Sequence, residues 1–188
     1  MNNEETMQTY SRTEDKKRKK RKERLSFVIT ILVAVSVALC LRFFVFEFII
    51  VKGPSMEPTL YTGEVVFVEK VSYKFHDPAR FDVIICDYPG HDDSLVKRVI
   101  GIAGDTVEVR EGKLYLNGEL IEEPYFQDIM YSDFGPYTVE EGTVFVMGDN
   151  RNDSLDSRDA RIGPIDIDTI TGRGVAVIWP FNKIGQLK

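Results

Sequence analysis

Thr106-Val107-Glu108-Val109-Arg110-Glu111-Gly112-Lys113-Leu114-Tyr115-Leu116-Asn117-Gly118 is the stretch that decides the fold. Two short runs, Thr106–Arg110 and Lys113–Leu116, are rich in β-branched and aromatic residues, and Gly112 and Asn117-Gly118 punctuate them as hairpin turns do. The same texture extends outward in both directions. Val65–Val68, Val83–Ile85, Val96–Ile102, Thr143–Met147 and Gly174–Trp179 are all short, apolar and bounded by turn residues. No segment of ten or more residues in this part has a clear 3.6 period. The spacing predicts an all-β domain over 47–188. Within it, the polar stretch Glu119–Glu141 carries Tyr125, Phe126, Tyr131, Phe134 and Tyr137. It reads as part of a smaller lobe inserted around residues 106–142. No internal repeat is present.

Upstream the texture changes. Residues 1–24 are polar, with a basic cluster at Lys16–Lys22, and read as a disordered cytoplasmic tail. Leu25–Leu41 then runs 17 residues without a charge. Extended through Phe46, the apolar segment reaches roughly 33 Å as a helix, enough for a hydrocarbon core of about 30 Å. Arg42 sits where it can snorkel to the interface. Residues 25–46 therefore read as a transmembrane anchor rather than a buried core helix. Ser36-Val37-Ala38 has the small-x-small look of a cleavage site, but the apolar run continues past it and 24 polar residues precede the run, so a retained anchor is preferred to a cleaved leader. The basic side belongs in the cytoplasm, which places residues 47–188 on the outer face of the plasma membrane in a single-pass topology.

Composition sets further bounds. The 188 residues suit one compact domain plus extras. Residues 1–24 hold nine basic and five acidic side chains, whereas residues 43–188 hold 14 basic and 25 acidic, a net of −11. An acidic folded part argues against nucleic acid as a partner. Two cysteines, Cys40 and Cys86, exclude a disulfide-stapled mini-protein and a four-cysteine zinc site.

Three segments carry candidate chemistry. Ser55 lies in Gly53-Pro54-Ser55-Met56-Glu57-Pro58-Thr59-Leu60, where glycine and two prolines constrain the backbone around one serine. It reads either as a nucleophile or as an ordinary turn serine. The two histidines, His76 and His91, lie in polar loop-like stretches and read as surface residues. A neutral lysine is the other available base, and it needs burial to lose its proton. Lys97, in Leu95-Val96-Lys97-Arg98-Val99-Ile100, shares a strand face with Leu95 and Val99. It is either such a base or an edge-strand lysine that guards against aggregation. The third segment, Gly148 through Arg158, follows an apolar strand and holds Asp149, Arg151, Ser154, Asp156 and Arg158. It is either a braced functional loop or a solvated turn; a calcium loop fails because Arg151 occupies a ligand place. Ser94-Leu95-Val96-Lys97 matches the S-x-x-K pattern, but on a strand the two side chains point to opposite faces.

At these residues the sequence resembles the bacterial type I signal peptidases, the membrane-bound Ser/Lys proteases. Five segments match in order: Gly53–Leu60, Gly63–Lys70, Lys97–Asp105, the Asn117-Gly118 hairpin, and Gly148–Arg151 through Asp156–Arg158. With Ile178-Trp179-Pro180 they cover roughly residues 44–181. The resemblance implies a mostly antiparallel β catalytic domain of the signal-peptidase type behind one N-terminal transmembrane helix. It implies Ser55 as nucleophile, Lys97 as general base, and Ser154 as the hydroxyl that orients the lysine. Asp149, Arg151, Asp156 and Arg158 would hold the catalytic loop, the last two as an ion pair, and Arg98 would be structural. The Ser55 N–H would donate to the oxyanion. A serine two residues before the nucleophile is Gly53 here, which with the single span is similar to the Gram-positive branch. Three departures stand out: Glu64 for a usual aspartate, Ala103 for a proline, and Phe81 in a common Arg-Gly-Asp.

The implied reaction is peptide hydrolysis through an acyl-enzyme, with neither metal nor organic cofactor. The implied substrates are signal peptides of exported preproteins with small residues at −1 and −3, and Met56 and Val96 are the expected pocket walls. Ser55 follows Phe46 by nine residues, so the site is expected near the outer surface of the lipid bilayer, with the secretion translocon a further expected partner. Two competing readings are a tethered β-domain that only binds, and a self-cleaving regulator, against which the anchor argues. A peptidase restricted to few substrates also fits the sequence.

Overall fold

The computed structural model describes residues 3–88, 94–126 and 128–187, with side chains from residue 18 onward. The chain divides into two units, Met1–Phe43 and Phe44–Lys188. The first is a single helix, α1 (Asn3–Phe44). Residues 18–44 are long and apolar enough to cross a membrane, and the side chains of Leu25, Phe27, Leu32 and Leu39 among others are exposed along it. Two boundaries differ from the sequence reading. The tail expected as disordered is helix from Asn3 on, since Lys, Arg and Glu are good helix formers and extending a helix avoids the cost of nucleating one. The helix also stops at Phe44 rather than Phe46, because Phe46 opens a strand and pairs with Glu69.

The second unit is built from twelve strands among the described residues: β1 (Phe46–Ile50), β2 (Val65–Glu69), β3 (Val83–Cys86), β4 (Leu95–Gly101), β5 (Thr106–Arg110), β6 (Lys113–Leu116), β7 (Glu119–Leu120), β8 (Phe134–Thr138), β9 (Thr143–Met147), β10 (Ile165–Asp166), β11 (Ile170–Trp179) and β12 (Gly185–Gln186). The larger sheet has the order β1-β2-β11-β3-β4-β9-β10, with β12 on β11, and the smaller has β7-β6-β5-β8. Each described pairing is antiparallel. The fold is thus mostly antiparallel β behind one N-terminal apolar helix, as the sequence predicts. The hairpin stretch behaves as read: Asn117 and Gly118 turn the chain with φ of 55° and 84°, the left-handed pair that a two-residue hairpin needs.

Alternation places the cores. In β3, Val83 and Ile85 join Met56, Leu60, Val66 and Val68 in one cluster, while Ile84 and Cys86 join Val99 and Val146 in another. A third cluster, with Val107, Val109, Leu114 and Phe145, lies where the smaller sheet meets β9. Full burial of each such side chain stabilises by about 1.5–3 kcal/mol. For function, the decisive outcome is that β4 lies between β3 and β9. Lys97 is therefore on an interior strand, which removes the edge-guard reading.

Candidate active site

Three chain segments meet at one point. The first is the β1–β2 connection. Its base is closed by Val51 N–H to Glu64 O (2.9 Å) and Gly63 N–H to Val51 O (2.9 Å). Inside, Glu57 N–H bonds Pro54 O (3.0 Å) and Leu60 N–H bonds Met56 O (2.9 Å), so the backbone coils tightly around Ser55. Buried Met56 and Leu60 fix this coil to the core.

The second segment is β4. Its register sets Lys97 opposite Ile84 and Arg98 opposite Val83. Lys97 is 3% exposed, and its Nζ lies 2.7 Å from Ser55 Oγ. Burial pulls the Lys97 amine below its ordinary pKa, and the charge of Arg158 adds to that, while the Asp156 carboxylate, Cys86 and Asp149 pull the other way. No ion pair to Lys97 exists among the described residues. The Cys86 thiol beside it is pushed up to about 12 by its own burial. Ser94 is not part of this pair; its hydroxyl bonds Asp87 Oδ1 at 2.6 Å.

The third segment follows β9. Because β9 pairs with β4 at Arg98↔Met147, the chain beyond Met147 runs beside Lys97 and Arg98. Gly148 is required here, since a Cβ would collide with the Ser154 hydroxyl and the Ser55 carbonyl oxygen. Asn150 N–H donates to Ser55 O (3.0 Å) and Asn150 Nδ2 to Pro54 O (3.2 Å), so this loop holds the Ser55 turn directly.

Ion pairs brace the loop. Arg98, fully buried, donates from Nε and Nη2 to the two oxygens of Asp149 (2.8 and 2.6 Å) and from Nη1 to Phe81 O (2.9 Å). Thr59 Oγ1 donates to the same Asp149 carboxylate at 2.5 Å, joining the Ser55 loop to the network. Arg158 pairs with Asp156 through two 2.8 Å bonds and caps Arg151 O (2.6 Å), while Asp156 accepts Gly148 N–H (3.0 Å). Arg151 donates to Gly148 O (3.0 Å) and pairs with Glu123. Burial raises the Glu123 pKa and Arg151 opposes it.

The structure thus gathers Ser55, Lys97, Arg98, Asp149, Arg151, Ser154, Asp156 and Arg158. Ser154 differs from its expected role in one respect: its hydroxyl is buried against Gly148 but makes no hydrogen bond among the described residues, to Lys97 or otherwise. His76 is exposed and points to Asp77 O, away from the cluster; His91 lies outside the described residues. Sequence reasoning did not find Thr59, Glu123 or Tyr125, whose ring lies 4.1 Å from the Arg98 guanidinium carbon. Glu123 and Tyr125 come from the polar stretch Glu119–Glu141, where no periodicity marks them.

A cleft of about 360 Å³ opens onto the Ser55–Lys97 pair. Met56 and Val96 line it, together with Ile49, Val51 and Leu95. Its walls are mainly aliphatic and include the edge strand β1.

The family model for signal peptidase, peptidase S26, matches residues 24–179. The chain belongs to this signal peptidase family. It is 40% identical over 182 residues to signal peptidase I of Bacillus licheniformis, covering 92% of this chain and 97% of that protein. It is 38% identical over 193 residues to signal peptidase I T of Bacillus subtilis (strain 168), covering 97% and 100%. Among solved structures, a signal peptidase I from Enterococcus faecalis V583 shares 34% identity, with a TM-score of 0.46, over 52% of this chain and 97% of that one. Like the family, this signal peptidase is a serine endopeptidase that removes signal peptides, and with its apolar helix it is membrane-anchored. One departure from the family pattern now has a shape. Phe81, which the resemblance sets where a glycine would be expected, has φ of 71°, and its carbonyl is the one that Arg98 grips.

Proposed function

We propose that Ser55 is the nucleophile and Lys97 the general base of a signal peptidase that cuts after small residues at −1 and −3. The observation that carries this is the 2.7 Å separation between a half-buried serine hydroxyl and a buried lysine that has no carboxylate partner among the described residues. Neutral Lys97 takes the Ser55 proton as Oγ attacks the scissile carbonyl carbon. Lys97 then passes that proton to the departing amine, leaving an ester on Ser55. Water attacks the ester, giving one proton to Lys97, and that proton returns to Oγ as the acid product leaves. The Ser55 N–H, which donates no hydrogen bond among the described residues, is the proposed donor to the oxyanion. The Ser154 hydroxyl, buried without a partner, is available to hold the Lys97 amine once substrate closes the site.

Arg98, Asp149, Arg151, Asp156 and Arg158 act by holding the loop. The aliphatic cleft beside the pair takes the residues before the cut, with Met56 and Val96 as walls that exclude larger side chains. The basic end of α1 faces the cytoplasm and residues 47–188 face outward, where the lipid bilayer and the secretion translocon present preproteins. The test is cleavage of a preprotein with an Ala-x-Ala cut site by the full chain in detergent micelles. Wild type cuts after the second alanine, and Ser55→Ala and Lys97→Ala do not. Full activity in either folded variant overturns the assignment.

A further inference from the structure

The Ser55 turn has a second side. Ser55 and Met56 line the aliphatic cleft, whereas Glu57 and Pro58 line a separate groove of about 720 Å³. Its opposite walls are Tyr125 and Phe126 of the polar stretch and Asn150 and Asn152 of the loop after β9. Asn152 fixes its end by donating to Ile129 O (2.9 Å) and accepting from Tyr131 N–H (3.0 Å).

The chemistry of this groove is one-sided. Glu57, Asp128 and Asp149 line it, and no Lys or Arg does among the described residues, although Lys183 sits over the ring of Tyr61, one of its walls. Asp149 is spent on Arg98, but the Glu57 carboxylate makes no hydrogen bond or ion pair among the described residues. The bias extends along the chain: residues 114–150 contain eight acidic side chains and no Lys, Arg or His. Aromatic rings add a second cation-seeking element. Tyr131 is 77% exposed at the groove, and nearby rings already seat cations, with Lys183 Nζ 4.0 Å from the Tyr61 centroid.

We propose that this groove receives the first residues of the mature chain beyond the cut, and that Glu57, Asp128 and Tyr131 make it prefer basic over acidic side chains there. The inference rests on the reading of Ser55 as nucleophile. If the scissile carbonyl sits at Ser55 with the preceding residues in the aliphatic cleft, the departing part emerges on the Glu57 side. Continuity with Ser55 and the sign of the charge favour this occupant over an independent partner. Early mature residues that are acidic meet like charge in a partly desolvated groove, which costs rate through substrate positioning.

The experiment uses the full chain in micelles and three preproteins that differ only at positions +2 to +4, carrying Lys, Gln or Glu. Expected kcat/KM falls in the order Lys, Gln, Glu, with about a fivefold span for rim-type charge pairs, and the span shrinks in high salt. Glu57→Gln with Asp128→Asn closes the span, read as the ratio of kcat/KM for the Lys and Glu substrates measured within the variant itself. Equal rates for the three substrates, a reversed order, or an unchanged span in the double variant each overturn the proposal. Failure to cut any of the three removes the nucleophile assignment and this inference with it, a pattern distinct from cutting without charge order.

Discussion

Lys97 and Arg98 are neighbours on one strand, both cationic by type and both buried, yet the fold treats them oppositely. Arg98 meets the Asp149 carboxylate in a two-bond grip, and although burial works against its charge, those bonds raise its pKa above the ordinary value. Lys97, on the other face, meets a hydroxyl and no ion-pair partner among the described residues, and burial lowers its pKa. Burial with a partner favours the charged form, and burial without one disfavours it. One strand thereby supplies a structural cation and a basic amine in consecutive residues.

The sharpest way to break this contrast is to give Lys97 a charge it cannot lose. Lys97→Arg keeps the cation and much of the length, but a guanidinium does not deprotonate. Cleavage of an Ala-x-Ala preprotein should fall by about 10²–10⁴-fold, the usual worth of a general base. A variant that remains near wild-type rate would show that position 97 need not exchange a proton.

The converse change acts on folding. Arg98→Met leaves the buried Asp149 carboxylate with Thr59 as its hydrogen-bond donor among the described residues, and losing one partner of such a pair costs about 3–5 kcal/mol. Denaturant unfolding of residues 44–188 in the full chain should show that loss. A drop below 1 kcal/mol would mean that the pair is not load-sharing for the loop.

The pH profile tests what sets the Lys97 pKa. If Lys97 is the base, as proposed, it must be neutral to accept a proton, and its lowered pKa places the rising limb of activity below the ordinary lysine range. Arg158→Gln removes a like charge and frees Asp156, and both effects favour the ammonium. The limb should move to higher pH, with activity lost first at the low-pH end. A limb that stays in place would separate the Lys97 titration from the Asp156–Arg158 pair.

The smallest expected effect concerns the third acceptor of Arg98. Phe81 holds a left-handed φ in a position where its side chain is partly exposed. Phe81→Gly relieves that strain and should stabilise by about 1 kcal/mol, read as a higher thermal midpoint with the cleavage rate unchanged.

Much of this was legible in the chain. Thr106–Arg110, Lys113–Leu116 and Thr143–Met147 are strands at the boundaries the sequence predicts, because β-branched runs and turn residues agree there. Strands β8 and β10 were not legible: Phe134-Gly135-Pro136-Tyr137-Thr138 has no strand texture of its own, and the two residues of β10 owe their state to β9. At the site, local context made Ser55 and Lys97 candidates without separating them from a turn serine and an edge-strand lysine, and only the resemblance implied their roles. The Arg98–Asp149 and Arg151–Glu123 pairings did not stand out, since residues 51 and 28 positions apart meet only through the sheet order. Thr59 carried no signal beyond its segment.

Gly148 has a consequence for timing. The Ser55 turn and the Ser154 segment press on it from two sides, and Lys97 reaches Ser55 across 42 residues. Such distant contacts form late, after the sheet that aligns them. As the chain emerges from its N-terminal end, the helix and the serine arrive long before the glycine that lets the loops close. The proposed site is therefore assembled only after the chain has passed Gly148 and Ser154, from segments that are made far apart in time.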